Sequence, residues 1–262
     1  MSKTNAEKAS DLIWRHWQAG TVMDDLPPDR KPASRTDGYA IQFHLDGRSR
    51  QPLAGWKIAA TNVAGQRHIG VDGPLAGRIL AEHVYEPDAV ISIAANRMRV
   101  AEPEFAFKLA GDIPPRETPY TVAEVLEKVD TLHLVLELPD SRFADFATVG
   151  GPTLIADNAC ANDLVLGPAV EVPWRDIDLA HHKVVGEVEG RHRHEGSGAD
   201  VLGDPREALA WLVNEVTGHG LIMRAKEFVT TGTATVPLPI LEGDRVTADF
   251  GELGTIAVRI AP

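Results

Sequence analysis

The chain of 262 residues has a single cysteine and no long apolar run. Cys160 alone cannot form an intrachain disulfide, which favours a reducing compartment. The first eleven residues contain no apolar core of the kind found in signal peptides, and no later run is long enough for a membrane-spanning helix. These absences predict a soluble, cytoplasmic, globular protein.

Basic residues are also in the minority. The chain has 26 Lys and Arg against 38 Asp and Glu, a formal net charge of −12. Nucleic acid binds a basic face, and an anionic membrane surface attracts basic segments. We therefore expect neither nucleic acid nor a membrane as a partner.

Three helices are predicted from the apolar pattern and its end signals. Residues 5–19 carry apolar side chains at helical spacing, and Gly20 follows as a stop. A capping box begins at Thr121, and a second one precedes the apolar face of residues 205–217. Helices therefore account for only a small part of the chain.

Most of the chain after residue 90 has the pattern of short strands separated by Gly, Pro, Asn and Asp, for example 178–188 and 245–260. Residues 35–46 mix helix and strand signals, and residues 74–83 have weak helical spacing or form a loop over a site. No regular alternation of strand and helix suggests a doubly wound sheet. The predicted fold class is α+β, rich in strands.

Three glutamates are the most informative residues. Glu102 and Glu104 lie in the strand-like segment 98–109, where alternation puts both side chains on one face. Glu137 interrupts the apolar run 134–138 and joins them if the two strands are neighbours. Converging carboxylates need a cation, and oxygen ligands suit Mg²⁺, Mn²⁺ or Ca²⁺ better than zinc. The alternative is that each glutamate faces water on the outside of a sheet.

A series of short motifs, in a fixed order, resembles the fumarylacetoacetate hydrolase superfamily and, within it, the 2-keto-4-pentenoate hydratase group. The resemblance implies a mixed β-roll like the C-terminal domain of that superfamily, with few helices. It divides the chain into an N-terminal helical or mixed segment, 1–54, and a metal-binding catalytic domain, 55–262. The motifs are Gly55–Asn62, Gly70–Pro74, Ala101–Phe107, Leu136–Arg142, Ile155–Ala159, Val201–Pro205, Ala208–Leu212, Thr231–Thr233 and Asp244–Phe250.

The resemblance also implies a metal and a substrate class. Glu102, Glu104 and Glu137 match the residues that hold Mg²⁺ or Mn²⁺ in the family, and the metal would chelate the carboxylate and 2-oxo oxygen of a small 2-keto acid. Lys57 matches the family's active-site lysine, whose pKa would be lowered enough to move protons. Its alternative is a lysine at the protein surface.

Four further residues have candidate roles that the resemblance implies. Asp72 matches an acidic residue of the family and is otherwise a turn residue in Asp-Gly-Pro. Asn158 is expected to bind the substrate carboxylate or orient a water, or else to form an Asx turn. Gly232 and Thr233 are expected to hold the carboxylate, or else to form a plain turn. Family members usually assemble as homo-oligomers.

Other polar residues favour structural roles. We expect the histidines of residues 191–195 to lie on a solvated hairpin, and Cys160 to be a buried small side chain rather than a nucleophile. Arg78 and His83 either accept a distal carboxylate of the substrate or face solvent. Substrate selectivity is expected from residues 22–50 and 74–90.

Three reactions remain open at this stage. The first is hydration of a 2-hydroxy-2,4-dienoate, the second is decarboxylation of a 2-oxo acid of the oxalocrotonate type, and the third is C–C hydrolysis of an acylpyruvate. Hydrolytic relatives bring a His–Glu pair on an N-terminal lid, and the pair His83 and Glu86 lies closer to the metal motif than that pair normally does. The resemblance therefore favours the hydratase.

Overall fold

The computed structural model describes residues 1–262 and contains more strands than helices. The helices are α1 (Lys3–Ala19), α2 (Arg35–Gln42), α3 (Val63–His68), α4 (Val122–Leu126), α5 (Gly151–Ala156) and α6 (Pro205–Gly218). The strands are β1 (Gly55–Ala59), β2 (Leu75–Ile79), β3 (Val84–Tyr85), β4 (Val90–Ile91), β5 (Val100–Leu109), β6 (Val129–Leu138), β7 (Asp163–Ala169), β8 (Lys183–Val188), β9 (His192–Ser197), β10 (Phe228–Thr233), β11 (Leu238–Pro239), β12 (Arg245–Asp249) and β13 (Thr255–Ile260). The predicted β-rich α+β class is confirmed.

The strands form two sheets, and the larger one curls into a roll. Its order is β2-β1-β10-β5-β6-β7-β3, with β11 paired to β5, and the second sheet runs β4-β13-β12-β8-β9. Seven strands laid flat would separate the two edges by about 29 Å. The connection between edge strands β2 and β3, residues 80–83, spans at most about 18 Å. The larger sheet therefore has to curl, as expected for a mixed β-roll.

The helix signals in the sequence correspond to real helix ends. Helix α1 ends before Gly20, which takes φ +62°. The capping box at Thr121 is present, with Glu124 bonded back to the cap. At α6 the side chain of Asp204 accepts from the N–H of Arg206, so this helix has an N-cap without the predicted reciprocal glutamate.

For two segments the secondary structure predicted from the sequence was ambiguous or wrong. Residues 35–46 form α2 followed by a short 3₁₀ turn. Residues 74–83 were expected to be helical or a loop, but they contain strand β2, whose five residues are all buried. A strand that is buried on both faces lacks the alternation of apolar and polar side chains that identifies a strand in a sequence. For this reason β2 was not recognised as a strand.

One large apolar core joins both sheets to the helices. It includes Ile13 of α1 and Ile41 of α2 together with Phe105 and Leu136 of the larger sheet. Residues 1–54 therefore share a core with the rest of the chain, and a boundary after residue 54 stays a prediction. No helix combines the length and apolar character needed to cross a bilayer.

The inner face of the roll carries a second, small apolar cluster. Its buried members are Ile79, Ala106, Val135 and Leu164, one from each of four strands. The cluster fills the inside of the roll below the glutamates of the candidate site, because Ala106 and Val135 share the face of Glu104. It forms an apolar floor for that site.

Helices α2 and α6 are joined by a half-buried ion pair. Arg35 donates to Glu215 Oε1 at 2.7 Å and to the carbonyl of Pro74 at 2.9 Å. Burial would raise the pKa of Glu215, but hydrogen bonds from His219, Arg35 and Tyr39 outweigh it and lower the pKa to about 2. The charged form of Glu215 therefore stabilises the folded state.

We expect Glu215→Gln to change how stability depends on acid pH. An unfolded glutamate has a pKa of about 4.3, so the stabilisation is complete above that pH. It is lost as the pH falls towards the folded pKa of about 2. Urea unfolding should show a constant wild-type advantage between about pH 5 and 7 that shrinks below about pH 4. The control is Glu195→Gln, an exposed carboxylate on β9; a wild-type advantage of Glu215 that persists at pH 2 would contradict the prediction.

Candidate active site

The register of two neighbouring strands brings the three glutamates together. Strands β5 and β6 pair antiparallel with Glu102 opposite Glu137, and Glu104 follows Glu102 on the same face. One oxygen from each carboxylate lies within 4.8 Å of the other two. Glu104 is 0% and Glu137 2% exposed, and Glu102 is partly buried. The alternative that these side chains face water is wrong for Glu104 and Glu137.

Lys57 on β1 supplies the positive charge beside this cluster. Its Nζ lies 3.1 Å from Glu137 Oε1 and donates to the carbonyl oxygen of Ala159 at 3.2 Å. The side chain is 3% exposed. The alternative of a surface lysine is therefore wrong, and Lys57 and the three glutamates form one buried charged group.

The electrostatics of this group are dominated by burial and by like charge. Burial raises the pKa of Glu102, together with the charge of Glu137, to about 7. Burial followed by the charges of Glu137 and Glu102 raises the pKa of Glu104 well above its ordinary value. Burial also raises the pKa of Glu137, against the opposing effect of Lys57. The single ammonium of Lys57 does not balance the negative charge of the three carboxylates.

Burial and the neighbouring carboxylates act on Lys57 in opposite directions. Burial alone would lower its pKa, but the negative charges of Glu137, Glu102 and Glu104 outweigh burial, and the pKa is raised. In this charge environment Lys57 is an ammonium that holds its proton firmly. The expected lowering of its pKa supposed a metal cation beside the ammonium as well as an apolar wall, so it stays a prediction for the site with its cation.

The donor set fits a hard divalent cation. Glu104 Oε1 and Glu137 Oε2 are buried and have no hydrogen-bond partner. A buried carboxylate oxygen without a partner is costly, and a cation is the partner that would satisfy it. Three carboxylate oxygens suit Mg²⁺ or Mn²⁺ better than zinc.

Gly232 orients one of the glutamates. Its N–H donates to Glu104 Oε2 at 2.9 Å, within a bulge of β10 where φ is +92°. A Cβ at this position would lie 2.4 Å from Thr61 Oγ1, so only glycine fits. The hydroxyl of Thr233 donates to the carbonyl of Thr235 at 2.8 Å. Gly232 therefore positions Glu104, and the hydroxyl of Thr233 stabilises the turn. The expected contact of these two residues with a substrate carboxylate stays a prediction.

Comparison with known proteins finds relatives that match nearly the whole chain. No family model matches the chain. It is 30% identical over 260 residues to a 2-keto-4-pentenoate hydratase of Burkholderia vietnamiensis, covering 98% of both chains. It is 27% identical over 226 residues to a 4-oxalocrotonate decarboxylase of Pseudomonas putida, covering 85% of this chain and 84% of the other.

The chain belongs to the 2-keto-4-pentenoate hydratase group of the fumarylacetoacetate hydrolase superfamily. It is accordingly an enzyme of a hydro-lyase group. In fold it is similar to the 4-oxalocrotonate decarboxylase of Pseudomonas putida G7 complexed with magnesium and adipate. The TM-score is 0.89 at 22% identity, over 99% of this chain and 98% of that one.

Within this hydratase-group site, Asn158 does not have the predicted role. Its side chain is fully buried and bonded to the backbone of Arg78: Oδ1 accepts from the N–H at 2.6 Å and Nδ2 donates to the carbonyl at 2.8 Å. The amide is therefore committed to strand β2 rather than free for a substrate carboxylate, and it is not an Asx turn.

Asp72 lies in an exposed bend before β2. No hydrogen bond or ion pair joins it to Lys57 or to the glutamates. The structure does not bring Asp72 into contact with the charged group, so its catalytic role stays a prediction.

Arg78 and His83 neither reach the glutamates nor face open solvent. Arg78 lies on the opposite face of β2 from the charged group, 1% exposed, and bonds to Asp46 and to Gln42 Oε1. His83 pairs with Asp163 at 2.8 Å in a separate cleft of about 220 Å³. The expectation that Arg78 faces solvent is therefore wrong, and a contact of either residue with a distal carboxylate stays a prediction.

The remaining expectations for His and Cys agree with the structure. His192 and His194 lie on β9, the outer strand of a hairpin with β8. Cys160 is buried, and burial followed by the charge of Asp157 raises its pKa to about 12. The thiol therefore stays protonated at neutral pH, which argues against a nucleophilic role.

Two features of the site escaped the sequence analysis. Thr230 on β10 shares its face with Ala106, beside Glu104, and its buried hydroxyl has no hydrogen-bond partner. Arg142 forms a buried ion pair with Asp157 at 2.5 Å, and the hydroxyl of Ser141 donates to the same carboxylate at 2.6 Å. The motif Asp140-Ser141-Arg142 marked the second feature, but no pattern distinguished Thr230 from an ordinary strand residue.

Proposed function

We propose that this protein adds water to a 2-hydroxy-2,4-dienoate to give a 4-hydroxy-2-oxo acid, with Mg²⁺ or Mn²⁺ as cofactor. The observation that carries the proposal is the ammonium of Lys57 in contact with Glu137, one of three converging carboxylates. The relatives at about 30% identity that are named hydratases support the choice of reaction.

Glu102, Glu104 and Glu137 would hold the cation, since two of their buried oxygens have no other partner. When bound, the cation supplies Lewis-acid stabilisation of negative charge that develops on the 2-oxo oxygen. The N–H of Gly232 keeps Glu104 in position for this task. These ligands also define where the 1-carboxylate and 2-oxo group of the substrate would lie.

Lys57 is the group placed to move protons. Hydration needs a proton at C5 while the 2-hydroxyl loses its proton and becomes the 2-oxo group, and then the oxygen of water at C4 and a proton at C3. The two protons that carbon gains are balanced by the one that leaves the 2-hydroxyl and the one that leaves the water. An ammonium held by Glu137 and the carbonyl of Ala159 can give the first proton and recover one from the attacking water. This role places Lys57 beside the carbon chain of the substrate.

The walls of the site favour both charge stabilisation and a specific water position. The apolar floor of Ile79, Ala106, Val135 and Leu164 excludes bulk water, which strengthens each charge interaction. Above it, the unpaired hydroxyl of Thr230 is a free polar group on the same face. We assign it to hold a water or a substrate oxygen.

A decarboxylase is the second candidate. The fold similarity to a 4-oxalocrotonate decarboxylase is extensive, and a curated decarboxylase is 27% identical. Such a reaction would use the same three glutamates and lysine, so the difference lies in the fate of the substrate. The hydratase remains the proposal because two relatives at 30% identity are both named hydratases.

The reaction type is tested with two substrates and Mg²⁺. We expect 2-hydroxypenta-2,4-dienoate to lose its dienol absorbance and give 4-hydroxy-2-oxopentanoate, with deuterium at C3 and C5 when the solvent is D₂O. We expect no CO₂ from 2-oxohex-3-enedioate. CO₂ release from the diacid without hydration of the dienoate would make the decarboxylase the correct assignment.

Glu104→Gln is expected to abolish divalent-cation binding while the fold is kept. The amide has the shape of the carboxylate but lacks its charge, and it removes the buried oxygen that has no partner. Calorimetric titration with Mn²⁺ measures the loss, and circular dichroism reports the fold. Glu195→Gln, an exposed residue far from the site, is the control; a wild-type isotherm for Glu104→Gln would exclude Glu104 as a ligand.

Lys57→Met is expected to separate catalysis from metal binding. Methionine keeps the length of the side chain and removes the ammonium, so kcat should fall about 10²–10⁴-fold. Mn²⁺ affinity should not fall, because the lost ammonium repelled the cation. Steady-state kinetics and calorimetry on the same preparation measure both. Near-normal turnover would show that Lys57 is a structural residue of β1.

A further inference from the structure

The carbonyl that receives the hydrogen bond of Lys57 belongs to an unusual turn. Asn158, Ala159 and Cys160 follow one another with φ of +57°, +50° and +61°. None is a glycine, and L side chains rarely adopt this conformation even singly. Such a turn persists only if its surroundings hold it.

The amide of Asn158 provides that support. It bonds to both the N–H and the carbonyl of Arg78, so it continues the hydrogen-bond ladder of β2 as a neighbouring strand would. Strand β2 is an edge of the larger sheet and has no strand on that side. The Asn158 side chain therefore fixes the turn to the strand that lies next to β1.

Gly77 allows the turn to approach this closely. Gly77 pairs directly with Lys57 across β1 and β2. A Cβ on Gly77 would lie 2.3 Å from the carbonyl oxygen of Asn158 and 3.2 Å from Cγ of Lys57. The turn and the lysine side chain therefore meet over the one residue of β2 that has no side chain.

We propose that Asn158 is a positioning residue that acts through Ala159 on Lys57. The amide holds the left-handed turn against β2, the turn presents the carbonyl of Ala159, and that carbonyl together with Glu137 fixes the ammonium. With the amide removed, the turn relaxes, and Lys57 keeps only its contact with Glu137. The catalytic part of this inference rests on the proposed function of Lys57.

The variant that tests the inference is Asn158→Gly. Glycine adopts the left-handed conformation without strain, so this variant removes the amide that holds the turn to β2 without adding a backbone clash. We expect kcat for the dienoate to fall about tenfold or more, because a small displacement of a catalytic group is costly, with KM and Mn²⁺ affinity within about twofold. The control Asn162→Ala removes a nearby amide that bonds to Trp17 and Asp163, and it should keep the wild-type kcat.

A second measurement does not need turnover. Reductive methylation of the folded proteins, read by mass spectrometry, should modify Lys57 several times faster in Asn158→Gly than in wild type or in Asn162→Ala. Unchanged methylation of Lys57 and unchanged kcat in Asn158→Gly would overturn the inference. Faster methylation together with a wild type that does not hydrate the dienoate would leave the positioning role intact and reject the proposed function instead.

A third variant approaches the same contact from β2. Gly77→Ala keeps the Asn158 amide but places a Cβ against the turn. We expect it to lower kcat and speed methylation of Lys57 in the same way. If Gly77→Ala is folded and behaves as wild type in both measurements, the close contact over Gly77 does not position the lysine, and the inference fails.

Discussion

The mutual repulsion of three buried carboxylates is the constraint on which this site depends. At an effective dielectric constant of about 20, two unit charges 4 Å apart repel by about 4 kcal/mol. Three carboxylates with one ammonium leave an excess of two negative charges. A single lysine therefore cannot neutralise the group, whereas one divalent cation can. Burial raises the pKa of each glutamate, like charge adds to the shift at Glu102 and Glu104, and two of the buried oxygens have no hydrogen-bond partner.

The roll brings these charged side chains together. Its edge strand β2 has backbone groups with no neighbouring strand to bond to on one side. Strand β2 is an edge, and an unpaired edge exposes backbone polar groups. Here the amide of Asn158 takes the place of a neighbouring strand. Each left-handed non-glycine residue costs about 1–3 kcal/mol, so the turn at 158–160 is strained backbone next to the charged group. The buried pair of Arg142 and Asp157 fixes the chain just before that turn.

The features of the fold and of the site that could be predicted from the sequence are those that depend on residues close together along the chain. The shared face of Glu102 and Glu104 follows from strand alternation, and the stop at Gly20 follows from helix geometry. The pairing of Glu137 with Glu102 needed the family resemblance, because register is a property of two strands. Asn158 and Arg78 were misassigned because they contact each other across 80 residues, and no local pattern records such a contact.

The state of Lys57 also bears on the choice between the two candidate reactions. Loss of CO₂ from a 2-oxo acid begins with departure of a carboxylate and requires no proton at the outset, whereas hydration of a dienoate begins with a proton delivered to C5. The excess negative charge raises the pKa of Lys57, so without a cation the ammonium holds its proton more firmly than an ordinary lysine does. A cation at the three glutamates would offset that negative charge and ease release of the proton to carbon. The proposed hydration therefore depends on Lys57 and the cation together.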